Sequence, residues 1–113
     1  PILIEIEALT TYPKFGYPKR SARGISQGKL ELLIAVMSKF TSVDLESHDT
    51  YLNIARGIQV SEPGVDLACI AAITSSKKDK PLGKTIYLGE VSLTGVIKNV
   101  MFLDRRLMEA AKL

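Results

Sequence analysis

Residue types suited to reactive chemistry meet in one stretch of the 113-residue chain, 53–76. There Ser61-Glu62-Pro63-Gly64-Val65-Asp66 runs into Leu67-Ala68-Cys69-Ile70-Ala71-Ala72-Ile73. The stretch reads as the end of a strand, a tight polar turn over 61–64 and an apolar helix over 64–76. Pro63 suits a first helical turn, where its missing N–H costs nothing. Asp66 brings negative charge to the positive end of the helix dipole. A helix N-terminus aimed at a surface can hold an anion or activate a nucleophile. The apex residue is Gly64, however, and it has no side chain to react. Ser61 reads as a cap on the helix, Ser92 as a turn or strand residue, and Lys98 lies in a strand. His48 stands alone among Asp44, Glu46 and Asp49 and reads as an exposed polar residue rather than a general base. One Cys and one His do not supply a four-ligand metal site. Cys69 has no partner for a disulfide within the chain and reads as a small packing residue, in keeping with a reducing cytoplasm.

A second kind of chemistry is electrostatic. Lys14, Lys19, Arg20, Arg23 and Lys29 fall within 14–29 with no acid among them, and Lys77, Lys78, Lys80 and Lys84 form a second cluster broken only by Asp79. The net charge of +3 is too small to identify a polyanionic partner by itself. Over 12–20 the rings of Tyr12, Phe15 and Tyr17 interleave with the first basic cluster. Such a segment can meet a nucleic-acid backbone and stack on bases. A loop pinned to the core by its rings is the plainer alternative, and both stand at this point.

The elements that must hold these groups follow from periodicity. Residues 2–10 alternate as a strand, with Ile4 and Ile6 on one face and Glu5 and Glu7 on the other. Two prolines and a glycine make 12–20 a loop or irregular edge. From Ser26, a plausible N-cap, to Phe40, the residues Leu30, Leu33, Ile34, Met37 and Phe40 form one helical stripe. A polar connection over 41–47 leads to an extended stretch over 49–60, where Gly57 predicts a bulge or bend. The helix over 64–76 is apolar nearly all round, which predicts burial at the centre of the core. Residues 77–83 read as an exposed basic loop. Residues 85–91 and 95–100 read as paired strands around 92–94, and 104–113 as a closing helix with Leu103, Leu107, Ala110 and Ala111 on one side. Composition, 46% hydrophobic and 24% charged, is that of one ordinary globular domain over 1–113. No apolar run approaches the ~20 residues that span a bilayer, and no targeting peptide is visible. The fold class is α+β, a mixed sheet packed with helices.

Three segments, in this order, carry a family resemblance. They are Pro18-Lys19-Arg20-Ser21-Ala22-Arg23-Gly24 before a Leu-rich helix; Tyr51-Leu52-Asn53-Ile54-Ala55-Arg56-Gly57-Ile58 followed by Glu62-Pro63-Gly64-Val65-Asp66-Leu67-Ala68; and Gly89-Glu90-Val91-Ser92-Leu93-Thr94-Gly95. Together they resemble the C-terminal Lon-protease-like domain of the RadA (Sms) family of bacterial DNA repair and recombination ATPases. The resemblance implies a Lon-proteolytic-domain-like, two-layer fold of the kind also met in ribosomal proteins. It also implies that the chain is a fragment. Family members carry a zinc-binding segment and a RecA-like ATPase that are absent here, so ATP, Mg and Zn are expected only in those missing domains and no cofactor in this one. The abrupt start at Pro1 and uncapped end at Leu113 agree with that expectation.

Lon-type peptidases pair a serine nucleophile with a lysine base, the serine lying in Gly-Pro-Ser-Ala-Gly at a helix start. The resemblance puts Gly64 at the serine position and Arg106 at the lysine position. A guanidinium stays protonated and cannot act as the base, and loss of either group removes most of the rate. The implied function is therefore non-catalytic. The domain would assemble its parent into a ring, a hexamer, and hold single-stranded or branched DNA during recombination and branch migration. Lys19, Arg20, Arg23 and Lys29 are the candidate phosphate contacts; the competing reading makes them a solvated or inter-subunit face. Two other functions stay open: a Ser/Lys peptidase using displaced residues among Ser61, Ser92 and Lys98, and a docking domain for a recombinase or replicative helicase through 12–17. No membrane partner is expected.

Overall fold

The computed structural model describes residues 3–14 and 16–113. Ile2, the expected start of the first strand, and the ring of Phe15 lie outside the described residues.

Strand β1, Ile6–Thr11, alternates half-buried and exposed residues as its sequence dictates. It pairs antiparallel with β3, Asp49–Ile54. On the other side of β3 lies β2, Arg20–Arg23, which runs parallel to it. The result is a three-stranded mixed sheet in the order β1-β3-β2. Between β2 and β3 the chain crosses over through α1, Gln27–Phe40, since parallel neighbours cannot be joined by a tight turn. Strand β2 was not expected. Only Arg20 falls in the segment read as irregular, no element is predicted over 21–23, and the four residues become a strand only by pairing with residues some thirty positions later.

Helix α1 begins where expected: the Ser26 hydroxyl accepts from the Lys29 N–H at 3.1 Å. It stops at Thr41, whose N–H and hydroxyl both donate to the Met37 carbonyl. Leu30, Leu33, Ile34 and Met37 are buried as the stripe predicts, and Val36 joins them, but Phe40 is exposed. The Phe40 ring instead lies against Gly95, where an added Cβ would meet it at 2.8 Å.

The extended stretch over 49–60 is shorter than expected. β3 ends at Ile54 and the chain bends through a 3₁₀ turn, Ala55–Gly57, with Arg56 and Gly57 both at positive φ. A second 3₁₀ turn, Pro63–Val65, leads into α2, Asp66–Lys78. Helix α2 continues past 76, so Lys77 and Lys78 belong to its last turn rather than to a loop, placed well for the negative end of the dipole. Asp79 closes it in the left-handed conformation, a position usually given to glycine. Nor is α2 buried on all sides. Only Asp66, Cys69 and Ile73 are fully buried, because α2 covers one face of a single sheet and its far side has no layer above it.

Of the two long strands expected over 85–100, only β4, Glu90–Val91, and β5, Ile97–Lys98, pair. Helix α3, Leu103–Ala111, follows without a buried residue, and Leu107, expected on its inner side, is half exposed. The core lies between the sheet and the helices: Leu30, Leu33, Ile34 and Met37 of α1, Val43, Leu45, Leu52, Ile54, and Cys69 and Ile73 of α2. This is an α+β arrangement with α1 and α2 on one face of the sheet. Leu9, Tyr51 and Ser21 form one row of the opposite face.

Candidate functional site

Three places in this framework bring together groups that can do chemistry. The first is the N-terminus of α2. The Glu62 carboxylate accepts from the Gly64 N–H at 2.8 Å, so the helix start is capped by its own chain. The other oxygen of Glu62 pairs with Arg106 Nη2 of α3 at 3.3 Å. Gly64 itself is buried. A Cβ built on it would lie 2.5 Å from Arg106 Nη1, 2.9 Å from Val100 Cγ1 and 3.0 Å from Glu62 Oε1. Gly64 and Arg106, widely separated in sequence, are thus in contact, and the guanidinium fills the space that a side chain at 64 would need. Ser61 is exposed nearby. The Ser92 hydroxyl is engaged by Thr94 Oγ1 at 2.8 Å and the Val96 N–H at 3.2 Å. Lys98 lies on β5 opposite Glu90. Among the described residues no lysine ammonium hydrogen-bonds a serine hydroxyl.

The second place is a partly buried ion pair two residues further on. Asp66 is fully buried, its Oδ2 accepting from the Val91 N–H at 3.0 Å while Lys29 Nζ stands 3.0 Å from Oδ1. The ammonium neutralises Oδ1 by proximity rather than through an aligned hydrogen bond. One carboxylate therefore joins the first turns of α1 and α2 to β4. Cys69 lies one turn below it, and its thiol is pushed up from an ordinary 9.0 to about 12, by burial first and then by Asp66, with Lys29 acting the other way. Burial and this shift make it the inert packing residue expected from sequence.

The third place is the uncovered sheet face and the loop beside it, where the expected phosphate contacts divide. Lys19 is exposed, and its N–H donates to Asp49 Oδ1 at 2.7 Å. Arg23 is exposed on the outer face, paired in register with Asn53. Arg20 points the other way: its guanidinium donates to the Leu45 carbonyl at 2.9 Å and the Pro18 carbonyl at 3.2 Å. Lys29 is held by Asp66 as described. His48 is buried rather than exposed, its ring 4.5 Å from that of Tyr12 and its Nδ1 3.2 Å from the Ser47 hydroxyl. The sequence carries no sign of this burial because Tyr12 is distant along the chain. Tyr12, Lys14, Tyr17, Lys19, Asp49 and Tyr51 line an open groove of about 390 Å³. Tyr51 was missed as a site residue; its place on the outer face follows from the alternation of β3, but only once the register is known. Among the described residues no cluster of His, Cys, Asp and Glu could hold a metal ion, and no helix is long and apolar enough to cross a membrane.

No family model matches the chain. Its similarity is to a class of bacterial DNA repair proteins, along its whole length. The proteins are DNA repair protein RadA: that of Listeria monocytogenes is 43% identical over 114 residues, taking in 100% of this chain and 25% of the relative. RadA of Bacillus subtilis is 42% identical over 114 residues, with the same coverage, and that of Campylobacter jejuni 43% over 110 residues, 96% of this chain and 24% of the relative. The chain thus matches a RadA segment and spans about a quarter of the length of these relatives.

Proposed function

We propose that this domain is a non-catalytic, Lon-like part of a DNA repair and recombination protein, serving to bind DNA and to bring copies of its parent into a ring. The observation that carries the non-catalytic half is the contact between Gly64 and Arg106. At the positions that the Lon resemblance gives to nucleophile and base stand a residue without a side chain and a permanent cation, and the cation is neutralised by Glu62. Similarity to RadA supports the DNA-repair half. In this reading the parent is an ATP-dependent, DNA-processing enzyme of the bacterial cytoplasm. ATP, Mg and Zn belong to its other domains, and a hexameric ring, branch migration and a recombinase or helicase partner are properties of the assembled protein.

DNA contact is read onto the basic segment, with Lys19 and Arg23 as the groups free to meet phosphates. Arg20 and Lys29 add positive potential from positions where their head groups also hold the fold. The test is binding of single-stranded and duplex DNA at several salt concentrations. Replacing Lys19 and Arg23 with alanine lowers the log–log salt slope by about 0.7–0.9 for each phosphate left without its cation. An unchanged slope removes this patch from the interface. The peptidase alternative is decided by peptide hydrolysis with and without a serine-reactive probe.

A further inference from the structure

Resting on that reading of a DNA-binding domain, we infer that the groove lined by Tyr12, Lys14, Tyr17, Lys19 and Tyr51 is a stacking site for unpaired bases, so that the domain grips single strands rather than duplex. The observations are chemical and geometric. Tyr17 is 94% exposed, and Tyr12, one side of whose ring rests on His48, is still 75% exposed, so both present aromatic surface to solvent. Tyr51 supplies a third ring from the centre of the outer face. Lys14 and Lys19 stand among these rings. The groove's about 390 Å³ falls within the ~300–1,000 Å³ usual for ligand clefts.

Rings beside ammonium groups match a strand whose phosphates need cations and whose bases need flat faces, whatever the base. A duplex offers the phosphates but keeps its bases stacked on one another, out of reach of a tyrosine. The groove's carboxylate, Asp49, is occupied on Oδ1 by the Lys19 N–H, which blunts its repulsion of a nearby phosphate. Arg23 adds a further cation on the same sheet face beyond Tyr51, in a row whose far end is Glu7, held there by Asn53. A proline-rich peptide also favours tyrosine-lined grooves, but it makes no use of the two lysines.

The test uses the chain's own fluorescence, since it has four tyrosines and no tryptophan. Oligothymidine is titrated into the intact chain and into Tyr17→Ala and Tyr17→Phe variants, alongside an abasic oligomer of equal length and a duplex. Tyr17 is so exposed that its loss leaves the core untouched. Oligothymidine quenches the tyrosines of the intact chain. Tyr17→Ala weakens its binding by about 5- to 140-fold, Tyr17→Phe restores it, and affinity for the abasic oligomer and the duplex does not change. Equal binding of oligothymidine and abasic oligomer by the intact chain, or unchanged affinity in Tyr17→Ala, overturns the stacking site while leaving DNA binding in place. Failure to bind any nucleic acid overturns both, and quenching by a polyproline peptide in that case reassigns the groove.

Discussion

At the scale of single residues, Gly64 is the position where fold and chemistry press on each other most directly. A methyl group there meets the end of a flexible arginine and one methyl of Val100. Gly64→Ala therefore destabilises the chain by about 1–3 kcal/mol through overpacking, read as a lower urea midpoint. The same change in an Arg106→Ala background costs less, because the main obstruction is gone; additive losses would show that the two residues do not share one space. Cys69 gives a second expectation. Its folded thiol keeps its proton up to about pH 12, whereas an ordinary thiol gives it up near 9.0. Between those values the unfolded state binds fewer protons, so stability falls as pH rises, by up to ~1.4 kcal/mol per unit. Below pH 9.0 the group contributes no slope. Comparing alkaline denaturation of the chain with that of Cys69→Ala isolates this effect, and identical curves would contradict it. Cys69 was legible from its apolar neighbours in sequence. The burial of His48 was not, since nothing local announces that Tyr12 will fold over it.

Among the elements, the Lys29–Asp66 pair fixes how α1, α2 and β4 meet. Its two halves are not equivalent. Lys29 is one-third exposed and can turn to water if its partner goes, whereas Asp66 has no such escape. Lys29→Ala strands a buried carboxylate and costs about 3–5 kcal/mol. Asp66→Asn keeps an acceptor for the Val91 N–H and costs about 1–3 kcal/mol. Thermal unfolding of the two variants checks the order, and an equal loss would refute it. Legibility at this scale tracks locality. Helix α1 could be read because its cap, its stripe and its stop all lie within one short segment. Strand β2 could not, because 20–23 is extended by its neighbour β3 and not by its own pattern. The opposite error arose at 85–89, where alternating apolar residues promised a strand, yet no partner strand reaches them. Helix α2 misled through composition: small alanines look like core wherever they lie, and only a second layer would have buried them.

For the molecule as a whole, the uneven distribution of exposed apolar residues is the feature that bears on assembly. Met101, Phe102, Leu107 and Met108 of the α3 region, and Leu93, Val96 and Ile97 around β4 and β5, are all exposed by half or more. In the proposed ring these are the natural faces to meet a second copy. Replacing Phe102 and Met108 with serine is expected to shift the chain toward monomer in light scattering without altering its circular dichroism. An unchanged mass distribution would place self-association elsewhere. The α+β class and the approximate order of elements were visible in the chain, but this imbalance was not, because an amphipathic helix shows which face is apolar and not whether anything in the same chain covers it. The central position of β3 carries a further consequence. Both edges of the sheet depend on it, β1 as an antiparallel neighbour and β2 as a parallel one. During synthesis β1 must therefore wait without its sheet partner until Asp49–Ile54 has followed it, and of the segments between them α1 alone can form from its own sequence.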